Sequence, residues 1–127
     1  MMKRTFVASL AVLLTTATGL AACGGDDDAD VAAPSDADVV VEALDGNKFD
    51  LDEYSATAGD VTIAYLGRSS IVHTLLVVDP ENVQIGDKLS VTSGQTDEGT
   101  FPLAAGSYTL LCDVPGHENM KATLLVS

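Results

Sequence analysis

The chain contains few histidines, cysteines and aromatic residues. Its 127 residues include two histidines, two cysteines, no tryptophan and only 5% aromatic residues. Six lysines and arginines stand against 19 aspartates and glutamates, which gives a formal net charge of −13. Because binding to nucleic acid relies on a basic footprint, this charge balance excludes nucleic acid as a partner. Strong acidity favours solubility and can attract a basic partner by electrostatic steering.

The first 22 residues are typical of an export signal rather than of a folded domain. Lys3 and Arg4 form a positive region, and a mostly apolar stretch runs from Thr5 to Leu20. That stretch is interrupted by threonines and is short for a membrane-spanning helix, which needs about 20 predominantly apolar residues. We therefore interpret residues 1–22 as a signal peptide.

The residues around Cys23 predict a lipid anchor. Leu20-Ala21-Ala22-Cys23, followed by Gly24, resembles the bacterial lipobox, in which cleavage precedes a cysteine whose sulfur carries a lipid. The alternative is an ordinary cleavage site with a cysteine nearby by chance. We expect an exported protein that Cys23 anchors to the outer face of the bacterial cell membrane, or to the periplasmic side.

Residues 23–37 are expected to form a tether between the anchor and the folded domain. They are mostly small, acidic and proline residues, so they cannot bury enough apolar surface to offset the entropy lost on folding. We expect this segment to be disordered. The remaining residues, 38–127, are enough for one small domain.

The pattern of residues 38–127 predicts an all-β fold. Short apolar segments, some of them alternating as in Val61, Ile63 and Tyr65, are separated by turn signals such as Asp45-Gly46-Asn47. The apolar segment from Ile71 to Val78 is typical of a strand packed inside a sandwich. The segment between Val78 and Lys88 is also compatible with a short helix. We predict an antiparallel β-sandwich of about seven or eight strands.

Cys112 requires an explanation of its own. If Cys23 is lipidated, Cys112 has no disulfide partner, and an unpaired cysteine in an exported protein is a liability unless it is used. Two interpretations remain open: an inert thiol in the core, or a metal ligand.

The soft, metal-competent side chains of the predicted domain favour the metal site. They are His73, Cys112, His117 and Met120, and three of the four lie within nine consecutive residues. Two imidazoles, a thiolate and a thioether are the ligand set of a mononuclear blue-copper centre. Each residue alone is weaker evidence, because a histidine on an apolar strand is more often part of the core and a methionine more often fills it.

Strand alternation provides an independent test of this ligand set. Met120 shares its face with Ala122, Leu124 and Val126, so it is expected to point inward. For His73 and Cys112 the alternation permits the same orientation. Pro115-Gly116 is a turn pair that would bend the loop and return His117 towards Cys112. The charged loop residues Asp113 and Glu118 are expected to be solvated.

The spacing Cys112-x₄-His117-x₂-Met120 resembles the C-terminal copper loop of the cupredoxins, the plastocyanin/azurin superfamily. Gly106-Ser107-Tyr108 before it and Lys121-Ala122-Thr123-Leu124 after it add to the resemblance, as do His73-Thr74-Leu75 and Ala58-Gly59-Asp60-Val61 upstream. The likeness covers about residues 38–127. Thr74 stands where relatives often carry asparagine.

This resemblance implies a Greek-key β-sandwich that holds one type 1 copper, cycling between Cu(I) and Cu(II). It implies His73, Cys112 and His117 as equatorial ligands and Met120 as the axial ligand. His117 would be the more exposed histidine, at an apolar patch to which Val114 and Pro115 could contribute.

The function that the resemblance implies is transfer of single electrons between membrane-associated redox proteins, a donor and an acceptor. Basic docking surfaces on these partners would suit the acidic chain, which we expect to be a monomer. One alternative is a copper-binding lipoprotein for copper delivery or storage without a redox circuit. Another is a metal-free sandwich for adhesion or assembly.

An enzyme is not expected. Oxidases and nitrite reductases built on cupredoxin domains need further histidine clusters, and a binuclear copper centre would need a second cysteine in the loop. A hydrolase could use Cys112 and His117, but the sequence shows no third orienting group.

Overall fold

The computed structural model describes residues 33–34 and 36–127. The predicted signal peptide (1–22), the predicted lipidation site Cys23 and most of the predicted tether (23–37) lie outside these residues, so these assignments stay predictions. Within the described part of the chain, no helix is long and apolar enough to cross a membrane.

Nine strands form the described domain. They are β1 (Val39–Leu44), β2 (Lys48–Phe49), β3 (Glu53–Ala56), β4 (Gly59–Gly67), β5 (His73–Val78), β6 (Gln84–Val91), β7 (Thr96–Leu103), β8 (Gly106–Leu111) and β9 (Lys121–Val126). A four-stranded sheet has the order β2-β1-β4-β7, and a five-stranded sheet has the order β3-β9-β8-β5-β6. The prediction of an all-β sandwich is confirmed.

Both sheets are mixed rather than purely antiparallel. β1 pairs with β4 in parallel, and β3 pairs with β9 in parallel, whereas the other strand pairs are antiparallel. Parallel neighbours cannot be joined by a tight hairpin, and both pairs join strands that are not consecutive in the chain. Turn signals in the sequence, which indicate pairing of consecutive strands, therefore cannot predict these two parallel pairs.

The core is built from the alternating faces of the strands. Val39, Val41 and Ala43 of β1 are buried, and the residues between them are half-buried. Val61, Ile63 and Tyr65 of β4, whose alternation predicts that they share one face, lie in the same core cluster. Along β9 the residues Ala122, Leu124 and Val126 are buried, as the alternation predicts.

Two local features differ from the simplest prediction. β5 begins at His73 rather than at Ile71, and the side chains of Ile71 and Val72 are 48% and 42% exposed. These two residues belong to the segment that connects β4 in one sheet with β5 in the other. They are therefore apolar without being part of a strand pairing.

The segment after β5 forms a turn rather than a short helix. The carboxylate of Asp79 accepts hydrogen bonds from the backbone N–H groups of Glu81 and Val83, both at 2.9 Å. Asn82 adopts a positive φ of 65°. This local capture of the backbone by an aspartate competes with helix formation, and β6 follows at Gln84.

Candidate metal centre

Three neighbouring strands of the five-stranded sheet position the four candidate ligands. β8 lies between β9 and β5. His73 is the first residue of β5, Cys112 follows the last residue of β8, and Met120 precedes the first residue of β9. Because β8 runs antiparallel to both neighbours, the first residues of β5 and β9 and the last residue of β8 lie at the same end of the sandwich.

The structure brings the imidazoles of His73 and His117 and the thiol of Cys112 together. One potential ligand atom from each lies within 4.8 Å of the others, and all three residues are buried. Cys112 Sγ is 3.5 Å from His117 Nδ1. The two imidazole ring centres are 4.8 Å apart, with the ring planes inclined by 38°. Two imidazoles and one thiolate at this spacing can hold a single metal ion.

His73 is the member of the cluster with the most unusual surroundings. Its side chain is completely buried, yet neither Nδ1 nor Nε2 has a hydrogen-bond partner within the described residues. A buried polar group left without a partner costs about 1–3 kcal/mol. Coordination to a metal would satisfy one of these nitrogens, so the residues present fit a metal ion.

The electrostatic surroundings keep His73 in the form that binds metals. Burial lowers the pKa of His73, and the neighbouring His117 lowers the pKa further. A lower pKa means that the neutral imidazole persists at neutral pH. The neutral imidazole is the metal ligand, since a protonated ring has no free lone pair in its plane.

The backbone of Met120 contacts the backbone of Cys112, a member of this cluster. Its carbonyl oxygen accepts a hydrogen bond of 3.1 Å from the N–H of Cys112. Its side chain is 1% exposed and belongs to the core cluster, which agrees with the inward orientation predicted from the alternation. Its role as the axial ligand stays a prediction.

The loop between Cys112 and Met120 is folded by its own backbone hydrogen bonds. The N–H of His117 donates to the carbonyl of Val114, and the N–H of Met120 donates to the carbonyl of His117, both at 2.9 Å. Gly116 has a φ of +90°, a conformation that disfavours any residue with a Cβ. The loop therefore makes the bend that Pro115-Gly116 predicts.

The residues after the ligands form a polar network around the sulfur. The backbone N–H of Thr74 lies 3.4 Å from Cys112 Sγ. The hydroxyl of Thr74 lies 2.6 Å from the carboxylate oxygen Oδ1 of Asp113, and Lys88 Nζ lies 2.9 Å from the other oxygen, Oδ2. The hydrogen bond from Thr74 and the interaction with Lys88 lower the pKa of Asp113.

Asp113 is exposed, as expected, but its carboxylate is also bound by Thr74 and Lys88. A signal for its role exists in the sequence, because Thr74 and Asp113 each follow a candidate ligand directly. Once β5 and β8 are paired, alternation places both side chains on the face opposite the ligands. Lys88 offers no such signal, because a register shift between Leu75 and Val77 changes the pairing of β6 with β5. Glu118 is exposed, as expected.

Comparison with known proteins rests on structure rather than on sequence. No protein-family model and no curated protein matches the chain. Among solved structures, auracyanin A, a blue copper protein from Chloroflexus aurantiacus, matches with a TM-score of 0.59 and 24% identity over 69% of this chain and 96% of that chain. A purple cupredoxin from Nitrosopumilus maritimus matches with a TM-score of 0.57 and 18% identity over 71% and 100% of the two chains.

The fold is that of the cupredoxins. An azurin from Methylomonas sp. strain J agrees with this, with a TM-score of 0.58 and 16% identity over 73% of this chain and 99% of that chain. The cupredoxin sandwich of this chain carries His73, Cys112 and His117 together at one edge.

Proposed function

We propose that the chain is a type 1 copper protein that carries single electrons between redox partners. The observation that carries this proposal is the buried cluster of His73, Cys112 and His117, in which both nitrogens of His73 lack partners among the described residues. The cupredoxin fold supports it, since the matching auracyanin A is described as a blue copper protein.

The donor set suits a metal that changes its charge by one unit. Thiolate and thioether ligands favour Cu(I), whereas imidazole also suits Cu(II), so a mixed set accepts both states. Copper bound here would supply the one-electron couple. The chain holds its ligands at the ends of three strands and in a hydrogen-bonded loop, and such a fixed frame limits rearrangement when the charge changes. Met120, which is buried, would be the fourth residue to hold the copper.

Electrons would enter and leave near His117. This histidine is 7% exposed, whereas His73 is 0% exposed. Pro115 is exposed in the loop before His117, and Ile71 and Val72, which precede His73 in the chain, are exposed apolar residues. An exposed apolar residue next to the less buried ligand in the loop would let a redox partner approach closely, and the acidic chain would favour partners with basic docking surfaces.

The test is the visible spectrum of the purified full chain after addition of Cu(II). We expect an intense thiolate-to-copper charge-transfer band that a one-electron reductant removes and reoxidation restores. Cys112→Ala should abolish the band. Cys23→Ala is the matched control, because it removes the other cysteine of the chain and should leave the band unchanged. A wild-type chain that binds copper without this band would refute the proposal.

Copper delivery or storage without a redox circuit is the alternative function for the same ligands. It predicts a colourless Cu(I) form that transfers its copper readily to a chelator. Reversible cycling of the band with copper retained would rule it out.

We further propose that Cys23 carries a lipid that holds the domain at the bacterial cell membrane, on the outer or periplasmic side. The sequence around Cys23 supports this. In a bacterial host, the wild-type chain should sediment with membranes and Cys23→Ser should not. Equal distribution of the two chains would contradict the anchor.

A further inference from the structure

The hydroxyl group of Thr74 has one proton and two possible acceptors. Its oxygen Oγ1 lies 2.6 Å from the Asp113 oxygen Oδ1 and 3.4 Å from Cys112 Sγ. A threonine hydroxyl can donate one hydrogen bond at a time. The carboxylate and the sulfur therefore compete for the same proton.

The geometry favours the carboxylate. A separation of 2.6 Å is typical of a strong, charge-assisted bond from a hydroxyl to a carboxylate, whereas sulfur is the weaker acceptor. The contact is also reciprocal, because the backbone N–H of Asp113 donates to Thr74 Oγ1 at 2.9 Å. With one lone pair of Oγ1 occupied in this way, the hydroxyl proton is oriented within the Thr74–Asp113 pair.

Lys88 holds the carboxylate in place. Its ammonium group lies 2.9 Å from Asp113 Oδ2, the oxygen that Thr74 does not use. An exposed ion pair of this kind contributes little to stability. Its position matters more. Lys88 binds Oδ2 while Thr74 binds Oδ1, so both oxygens of the Asp113 carboxylate, which competes with the sulfur for the hydroxyl proton of Thr74, have a partner.

We propose that Asp113, held by Lys88, diverts the hydroxyl of Thr74 from the sulfur of Cys112 and thereby keeps the reduction potential of the centre low. The inference rests on the proposed copper function. Asp113 and Thr74 are positioning residues in it, because they act through Cys112. The sulfur then keeps the backbone N–H of Thr74 as its donor from this residue.

The direction of the effect follows from the charge on the sulfur. A hydrogen bond to the thiolate withdraws electron density that would otherwise stabilise the more positive, oxidised metal. Diverting the hydroxyl therefore favours the oxidised state. The negative charge of Asp113 acts in the same direction, so an experiment must separate the hydroxyl from the charge.

A double-mutant cycle on the copper-loaded full chain separates them. The four proteins are the wild type, Asp113→Ala, Thr74→Val and the double variant. Reduction potential and the energy of the charge-transfer band are measured for each. We expect Asp113→Ala to raise the potential and move the band to higher energy. Thr74→Val should lower the potential again in the Asp113→Ala background and change it much less in the wild-type background.

Two control variants isolate the hydroxyl of Thr74 and the position of the carboxylate. Thr74→Ser in the Asp113→Ala background keeps the hydroxyl and should keep the raised potential, unlike Thr74→Val. Asp87→Ala removes another exposed carboxylate, next to Lys88 in sequence, and should leave the band energy unchanged.

Equal effects of Thr74→Val in both backgrounds would overturn the inference while leaving the copper function intact. A wild-type chain without the charge-transfer band would instead overturn the proposed function, and the inference with it. The two failures are thus distinguishable within one set of spectra.

Discussion

Two buried side chains with polar atoms, Tyr65 and His73, both lie next to Thr74. They differ in whether their polar atoms have a hydrogen-bond partner among the described residues. Both are 0% exposed. The hydroxyl of Tyr65 donates to the backbone oxygen of Thr74 at 3.1 Å, whereas neither nitrogen of His73 has a partner among the described residues. Tyr54, on the edge strand β3, is also paired, since its hydroxyl donates to Asp50 at 2.6 Å.

This difference distinguishes polar groups that stabilise the fold, such as the tyrosine hydroxyls, from a polar group that is kept at a cost in stability. Buried polar groups in native proteins are normally hydrogen-bonded, and the tyrosines follow this rule. A domain with a typical stability of about 5–15 kcal/mol can tolerate one exception that costs about 1–3 kcal/mol. That exception is His73, one of the residues that the proposed metal site requires.

The largest expected effect on stability comes from binding of copper to the cluster that contains the unpaired imidazole of His73. A ligand that binds only the folded state stabilises it by about 4 kcal/mol when its free concentration is a thousandfold above its Kd. Copper should therefore raise the midpoint of thermal unfolding of the wild type strongly, and Cys112→Ala should reduce this increase. An equal increase in both proteins would mean that copper binds elsewhere, for example to the acidic surface.

Replacing the unpaired imidazole should come next in size. We expect His73→Leu to stabilise the metal-free domain by about 1–3 kcal/mol, because an apolar side chain of similar volume removes an unsatisfied polar group. The measurement is urea unfolding of the metal-free protein. The same substitution should abolish the stabilisation by copper. A loss of metal-free stability would show that His73 is satisfied after all and would remove the contrast with Tyr65.

Removing the partnered hydroxyl should have the opposite sign. Tyr65→Phe deletes one buried hydrogen bond to Thr74 while keeping the ring, which should destabilise the domain by about 1 kcal/mol. Urea unfolding measures this change as a lower midpoint at an unchanged slope. No change in the midpoint would mean that pairing of the core tyrosine is not what distinguishes it from His73.

The smallest effect concerns alkaline pH. Burial raises the pKa of Tyr54 and of Tyr65 above the ordinary value of 10.0, and the hydrogen bond to Asp50 raises that of Tyr54 further. The unfolded chain then loses its tyrosine protons first. The stabilisation is thus fully present below about pH 10 and declines as the pH rises above it.

Each tyrosine should account for at most about 1 kcal/mol of this decline at pH 10.5. Unfolding free energies at pH 7 and pH 10.5 test the expectation. Tyr54→Phe should reduce the decline between them, and an unchanged decline would exclude Tyr54 as its source.

Much of the fold was predictable from the sequence, because alternation reports burial directly. The alternation predicts that Val61, Ile63 and Tyr65 share one face of a strand, and the structure buries all three. The structure also brings together His73, Cys112 and His117, which the sequence singled out by residue type and spacing.

Other features depend on information that no local pattern contains. The parallel pairing of β1 with β4 and of β3 with β9 joins strands that no short turn connects. Ile71 and Val72 are apolar yet exposed, because the chain crosses between sheets at that point. The contact of Lys88 with Asp113 depends on the irregular register between β5 and β6, which residue type does not reveal.

The candidate ligands lie at the ends of three adjacent strands of one sheet and in the loop between two of these strands, which has a practical consequence for engineering. The four-stranded sheet β2-β1-β4-β7 contributes none of them. The nine residues from Cys112 to Met120 span the gap between β8 and β9, whose ladder ends at Leu111 and Lys121. Because the pairing of β8 with β9 ends on either side of this segment, a loop of another length that keeps Cys112, His117 and Met120 should change the spacing of the candidate ligands while the ladder stays in place.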